Sequence, residues 1–170
     1  MAKKKIIIQQ RKTLLIVGEG ATEEAFLQHL RSLYCANKNG PKVTIKNAHG
    51  KGPENVLNCA LREMSRTADY SQVAVLMDTD IPWTAKLERQ ANIRNVILIG
   101  SKPCIEGLFL NLLEKPVPQT SIECKDHIKI HFNNCDLLLP SSYGAWCTSE
   151  LLRSHENRID ALKNLLSLFK

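Results

Sequence analysis

Three short runs that are apolar at nearly every position constrain this chain more than any other feature: Thr13–Gly18 (T-L-L-I-V-G), Gln72–Met77 (Q-V-A-V-L-M) and Asn95–Gly100 (N-V-I-L-I-G). A strand that is apolar throughout, rather than at alternate positions, has both faces covered, as in a parallel sheet packed between helices. Val43–Ala48 reads as a shorter strand of the same kind. Between the strands the apolar spacing turns helical. After the turn G-E-G-A, Thr22 is the expected cap of a helix carrying Phe26, Leu27, Leu30, Leu33 and Tyr34, with Glu23 and Glu24 in its first turn. Val56, Leu57, Ala60, Leu61 and Met64 share one face of a second helix, and a third is expected from about Cys104 to Glu114 with Pro103 in its first turn. Strands alternating with helices predict an α/β fold, a mostly parallel four-stranded sheet with helices on both faces. Right-handed crossovers place the C-terminal ends of the strands on one edge.

The chain reads as a basic tail or edge segment over residues 1–12, an α/β core over 13–115, and a partly helical C-terminal extension over 116–170 packed on that core. In the extension Pro116 and Pro118 break the pattern, Ser121–Phe132 fits helix or strand, and Leu137–Tyr143 reads as a loop. Asn157–Phe169 reads as a terminal amphipathic helix. With 44% hydrophobic and 24% charged residues the composition excludes wholesale disorder and fibrous architectures. The net charge of +6 permits an anionic partner, although Lys3, Lys4 and Lys5 at the start account for part of it and serve equally well as a solubilising tail. The six cysteines show no C-x-x-C spacing and no secretory signal is visible, so reduced cytoplasmic thiols are expected. No apolar run approaches the roughly 20 residues of a membrane span.

The chemistry concentrates at strand ends. Glu19 follows the first strand, Asp78 and Asp80 the third, and Glu106 lies just beyond the fourth. A parallel sheet brings all four towards the edge where open α/β sheets bind ligands. Hard carboxylate oxygens suit Mg²⁺, which takes one or two of them and completes its shell with water and phosphate oxygens. Without a cation such neighbours repel and raise one another's pKa. Singly, Glu19 also reads as a polar turn residue, and Asp78 or Asp80 as a cap of the next helix; their joint placement is what favours the metal.

The segment L-L-I-V-G-E-G-A-T-E-E-A-F-L, followed downstream by V-A-V-L-M-D-T-D, resembles the Toprim domain of topoisomerases, bacterial primases and OLD-type nucleases. With S-K-P-C-I-E-G-L-F-L-N-L-L-E it is similar to RloB-like proteins of bacterial restriction and phage-defence loci, over roughly Thr13 to Glu114. The resemblance implies a Toprim-like (Rossmann-like) fold and Mg²⁺-dependent phosphodiester chemistry on DNA or RNA, with Mn²⁺ as a substitute ion. It makes Glu19 the Toprim glutamate, metal ligand or general acid/base, and Asp78 and Asp80 the metal-binding pair. Glu23 matches a second acid four residues on, Glu106 the acid of the P-C-x-E segment, and Lys102 a group able to neutralise a transferring phosphate. Lys51, in the loop His49–Pro53, is a candidate backbone contact, or a plain surface lysine. Nucleic acid, a partner ATPase and further copies of the chain are the partners such a protein implies. The chain departs from its relatives in being shorter and in carrying D-T-D-I-P-W where they often have an aspartate-rich D-R-D stretch, which bears on substrate binding.

Other readings compete. V-L-M-D-T-D resembles the nucleophile motif of haloacid-dehalogenase-like phosphatases, with Asp78 as nucleophile, but the downstream acidic pair is absent and G-E-G-A-T-E stays unexplained. A receiver-like domain would use Lys102-Pro103 but wants two acids after the first strand. A Toprim-like subunit that binds nucleic acid or a partner without turnover fits the same residues. Cys124, His127, His131 and Cys135 match no established zinc spacing, so packing or surface positions are expected. Trp83 and Trp146 are expected to pack in or beside the core rather than to stack on bases.

Overall fold

A computed structural model describes residues 11–36, 40–66, 69–132 and 135–170. The lysine-rich start, Lys3 to Lys5, lies outside the described residues. Strand and helix alternate through the first two thirds of the chain: β1 (Thr13–Gly18), α1 (Ala21–Cys35), β2 (Lys42–Asn47), α2 (Pro53–Arg66), β3 (Gln72–Asp78), α3 (Ala85–Ile93), β4 (Val96–Ser101) and α4 (Ile105–Leu112). Then follow α5 (Ser121–His131), a 3-10 helix (Pro140–Ala145), α6 (Ser149–His155) and α7 (Asp160–Ser167). The four strands form one sheet in the order β2-β1-β3-β4, and every pairing is parallel. The fold is α/β, as the apolar runs require.

Side chains alternate between two cores along each strand. Leu14 and Ile16 of β1 point into one, together with Ala74 and Leu76 of β3, and meet α1, α4 and the C-terminal helices. Leu15 and Val17 point into the other, with Val73, Val75 and Met77, and meet α2 and α3. The first core runs without a break from Leu14 to Cys124, Ile128, Leu152 and Leu166, so the C-terminal extension shares a core with the sheet. Its centre is aromatic. Tyr143 is fully buried and lies 5.6 to 5.7 Å, centroid to centroid, from Phe26, Phe109 and Trp146.

Several local expectations are corrected. Gly20, not Thr22, is the N-cap of α1, because Glu23 reaches back to the Gly20 N–H (2.9 Å). Pro103 precedes α4, which Cys104 caps and Ile105 begins. Ser121–Phe132 resolves as helix, begun by a reciprocal Thr120/Glu123 capping box. A 3-10 helix covers part of the expected loop at 137–143, and the terminal helix starts at Asp160, after the separate α6. Trp146 packs edge-on to Phe109 and against Phe132, and Trp83 lies against the sheet beside Gly100.

Candidate metal centre

The C-terminal ends of β1 and β3 are neighbours, and the acids they carry are locked together through the backbone. The Glu19 N–H continues the ladder by donating to the Leu76 carbonyl (3.0 Å), which aims its side chain across β3. Its Oε2 accepts the Asp78 N–H at 3.0 Å. Asp78 in turn accepts the N–H of Ile105, the first residue of α4, through Oδ1 at 3.0 Å. Asp78 therefore does cap a helix, though not the next one: α3 is capped by Thr84, whose hydroxyl accepts the Leu87 N–H at 3.1 Å. Glu23, only 5% exposed, and Glu106, 8% exposed, extend the group from the first turns of α1 and α4. Gly18 makes that approach feasible, since a Cβ there would stand 2.8 Å from Glu23 Cβ.

Burial is the main force on these carboxyls. It raises Glu23 to about 7, against the opposing effect of the Glu23 and Gly20 backbone N–H groups, with Glu106 and Glu19 adding repulsion. It raises Asp78 to about 8, reinforced by the charges of Glu23, Glu19, Glu106 and Asp80 in that order. Glu106 Oε2 is buried and has no hydrogen-bond partner among the described residues. A buried carboxylate oxygen left unpaired is costly, and it sits among like charges. The N-termini of α1 and α4 offset part of that charge.

The remaining predicted residues lie further out. Asp80 is exposed and turned towards α5, where Oδ2 accepts the Ser121 hydroxyl at 2.8 Å; Oδ1 accepts the Ile81 N–H. Lys51 is exposed, in a loop tied to the site because the Gly50 N–H donates to the Glu19 carbonyl at 2.8 Å. Residues 49 to 52 of that loop all have positive φ, 60° to 80°. Lys102 is exposed and borders a hollow of ≈ 350 Å³ with Asn111, Pro118 and Gln119, a hollow that none of the carboxylates lines. Cys124 is buried under α5, whereas His127 and His131 are exposed. Among the described residues no three or more His, Cys, Asp or Glu side chains stand together as a ready ligand set.

A divalent cation nevertheless fits the chemistry of this edge. Glu19 and Asp78 each spend one oxygen on a backbone N–H and keep the other, Glu106 has one unpaired, and Mg²⁺ asks for only one or two protein carboxylates. The family pattern extends over the same elements: a family model described as RloB-like protein matches residues 14–160. The chain belongs to the RloB-like family. No curated protein and no solved structure matches it. The match exceeds the Thr13–Glu114 span legible from motifs, so α5, the 3-10 helix and α6 are part of the RloB-like pattern and not an appendage. Ser121, which holds Asp80 from α5, is the residue that motif reasoning missed. Its only local signal was the capping box at Thr120, which fixes where α5 begins.

Proposed function

We propose that this RloB-like protein hydrolyses phosphodiester bonds of nucleic acid with a divalent cation, Mg²⁺ or Mn²⁺, held at the edge formed by Glu19, Asp78 and Glu106, in the manner of Toprim nucleases. The observation that carries the reading is the buried, unpaired Glu106 oxygen beside an Asp78 already pushed up by its acidic neighbours. Such a surplus of negative charge is what a cation relieves. When bound, the ion would polarise the scissile phosphate and make water a nucleophile near neutral pH.

The protein's own part is positional. Glu19 and Asp78 present their free oxygens to the ion while their bonded oxygens stay fixed by the Asp78 and Ile105 N–H groups. Glu106 presents its unpaired oxygen to the same ion, Glu23, raised by burial, gives up its proton as the ion binds, and Asp80, on the rim, approaches through water. Lys51 would meet a phosphate next to the scissile one, and Lys102, directly after β4, would meet one further along the strand. A cytoplasmic role in defence, working with a partner ATPase, accords with the family.

Cleavage of labelled single- and double-stranded DNA and RNA tests the reading. Metal-dependent cutting by the wild type should fall at least about 100-fold in Asp78→Ala, the scale of losing one preorganised electrostatic group. One observation favours a second reading, a subunit that binds without turnover: the Glu19, Glu23 and Asp78 carboxylates already have backbone partners, and among the described residues no three-ligand set is preformed. Binding of nucleic acid with no cutting of any substrate, with either metal, would support that reading against ours.

A further inference from the structure

The face of the sheet that carries α2 and α3 has a groove between those helices, ≈ 770 Å³ in volume, that the catalytic reading leaves unused. Three cations border it, Lys86 and Arg89 on α3 and Arg94 at its C-cap. All three are exposed, and among the described residues none makes an ion pair. The groove has one acid, Glu54 at its mouth. Its floor is apolar, from Leu57 and Leu87, and Ile93 stands on its wall with 72% of its surface in solvent.

The groove starts where the acids are. α2 and α3 follow β2 and β3 and so both begin at the edge that carries Glu19 and Asp78, and the groove's lining includes the first-turn Glu54 of α2 and the N-cap Thr84 of α3 at that end. The two segments that lead into α2 and α3 are bonded to the acids. One is the loop over 49–52, through Gly50 N–H to the Glu19 carbonyl; the other is the turn before Thr84, through Trp83 Nε1–H to the Asp78 carbonyl (3.3 Å). From Lys86 to Arg94 the cations span about 12 Å at the helical rise of 1.5 Å per residue.

We propose that this groove is the track for a single strand of nucleic acid whose scissile phosphate lies at the acid edge. The proposal rests on the nuclease reading above for its orientation. Lys and Arg supply the phosphate contacts that dominate affinity, and Asn58 and Gln90 the neutral hydrogen bonds that fix register. The apolar floor and Ile93 select against a duplex, which turns its phosphates outward and would gain nothing from them; a single strand offers unstacked base faces. A second copy of the chain is a poor occupant, because each copy carries +6.

The test is the salt dependence of binding of a short labelled single strand to the full chain in EDTA, so that cutting cannot interfere. Three variants are compared with the wild type: K86Q/R89Q/R94Q, the charge-matched surface control K125Q/K129Q/K163Q, and Asp78→Ala. The slope of log K against log salt should fall by about 2 in the groove variant, at ≈ 0.7 per lost phosphate contact on a single strand. It should change by much less in the control, and Asp78→Ala, which removes negative charge from beside the scissile phosphate, should bind more tightly than the wild type in the absence of metal. An equal-length duplex should bind more weakly than the single strand. Equal losses in the groove and control variants, or a duplex preferred by the wild type, would overturn the track and leave the nuclease reading to its own cleavage test. A wild type that binds no nucleic acid, or whose groove takes an acidic peptide instead, overturns the track and counts against the nuclease reading as well.

Discussion

At the scale of single residues, Asp78 is held between two demands. Its Oδ1 accepts the Ile105 N–H and starts α4, while burial and its acidic neighbours resist its ionisation up to about pH 8. The sign of the linkage follows. A carboxyl whose folded pKa is raised binds its proton more tightly in the folded state, so its stabilising effect is complete below about pH 4 and is lost as pH rises to about 8. In EDTA, Asp78→Asn, which keeps an oxygen for the Ile105 N–H, should therefore gain stability over the wild type by a few kcal/mol between mildly acidic and mildly alkaline pH. Urea unfolding across that range checks it; a difference that stays flat would contradict the raised pKa. Glu106→Gln tests the unpaired oxygen in the other direction. It removes charge without removing volume, so the protein should fold at least as stably yet lose at least about 10-fold in metal affinity, the least that removing even an outer partner of a metal site costs.

At the scale of elements, the approach of α1 to the end of β1 sets the position of Glu23. Gly18→Ala would force a Cβ to within 2.8 Å of Glu23 Cβ and 3.2 Å of the Glu24 nitrogen, which only a shift of the helix relieves. Overpacking of this kind costs about 1–3 kcal/mol, and thermal unfolding should show it together with weakened metal binding. On the other side of the sheet edge, α5 reaches Asp80 through the Ser121 hydroxyl. Ser121→Ala should leave the fold intact and raise the KM for substrate more than it lowers kcat if Asp80 works from the rim; an unchanged KM would place Asp80 outside the substrate path.

The helices differ in how openly the sequence announces them, and burial explains why. α1 and α4 each bury six side chains and show their apolar stripes at once. α3 buries only Leu87 and Ala91, too few to make a period. α5 buries Cys124 and Ile128 but exposes Ile122 and Ile130, and these four fall at even spacings that imitate a strand. The signal there is the capping box Thr120/Glu123, which the apolar spacing does not show and which satisfies orphan N–H groups that only a helix has.

At the scale of the whole molecule, convergence of the acids was legible for a topological reason: parallel strands end on one edge, so Glu19 and Asp78 had to be neighbours. What was not legible is long range. The bond from Asp78 to Ile105, the return of α5 to Asp80 and the core shared by Leu14 with Leu166 join residues with no pattern between them in sequence. The same sharing makes the molecule one cooperative unit. Tyr143 in the 3-10 helix packs on Phe26 and Phe109, so Phe109→Ala, costing about 3–5 kcal/mol, should lower the stability of both halves in a single unfolding transition.

The central claim is that the acid edge binds a divalent cation, and calorimetric titration of the wild type and Asp78→Ala with Mn²⁺ near pH 7, in buffers of different ionisation enthalpy, tests it most directly. Because the ligands must ionise and burial holds Glu23 and Asp78 at about 7 and about 8, binding should release protons to the buffer and should disappear in the variant. A folded wild type that binds no Mn²⁺, or one whose binding survives Asp78→Ala unchanged and releases no proton, would contradict the account.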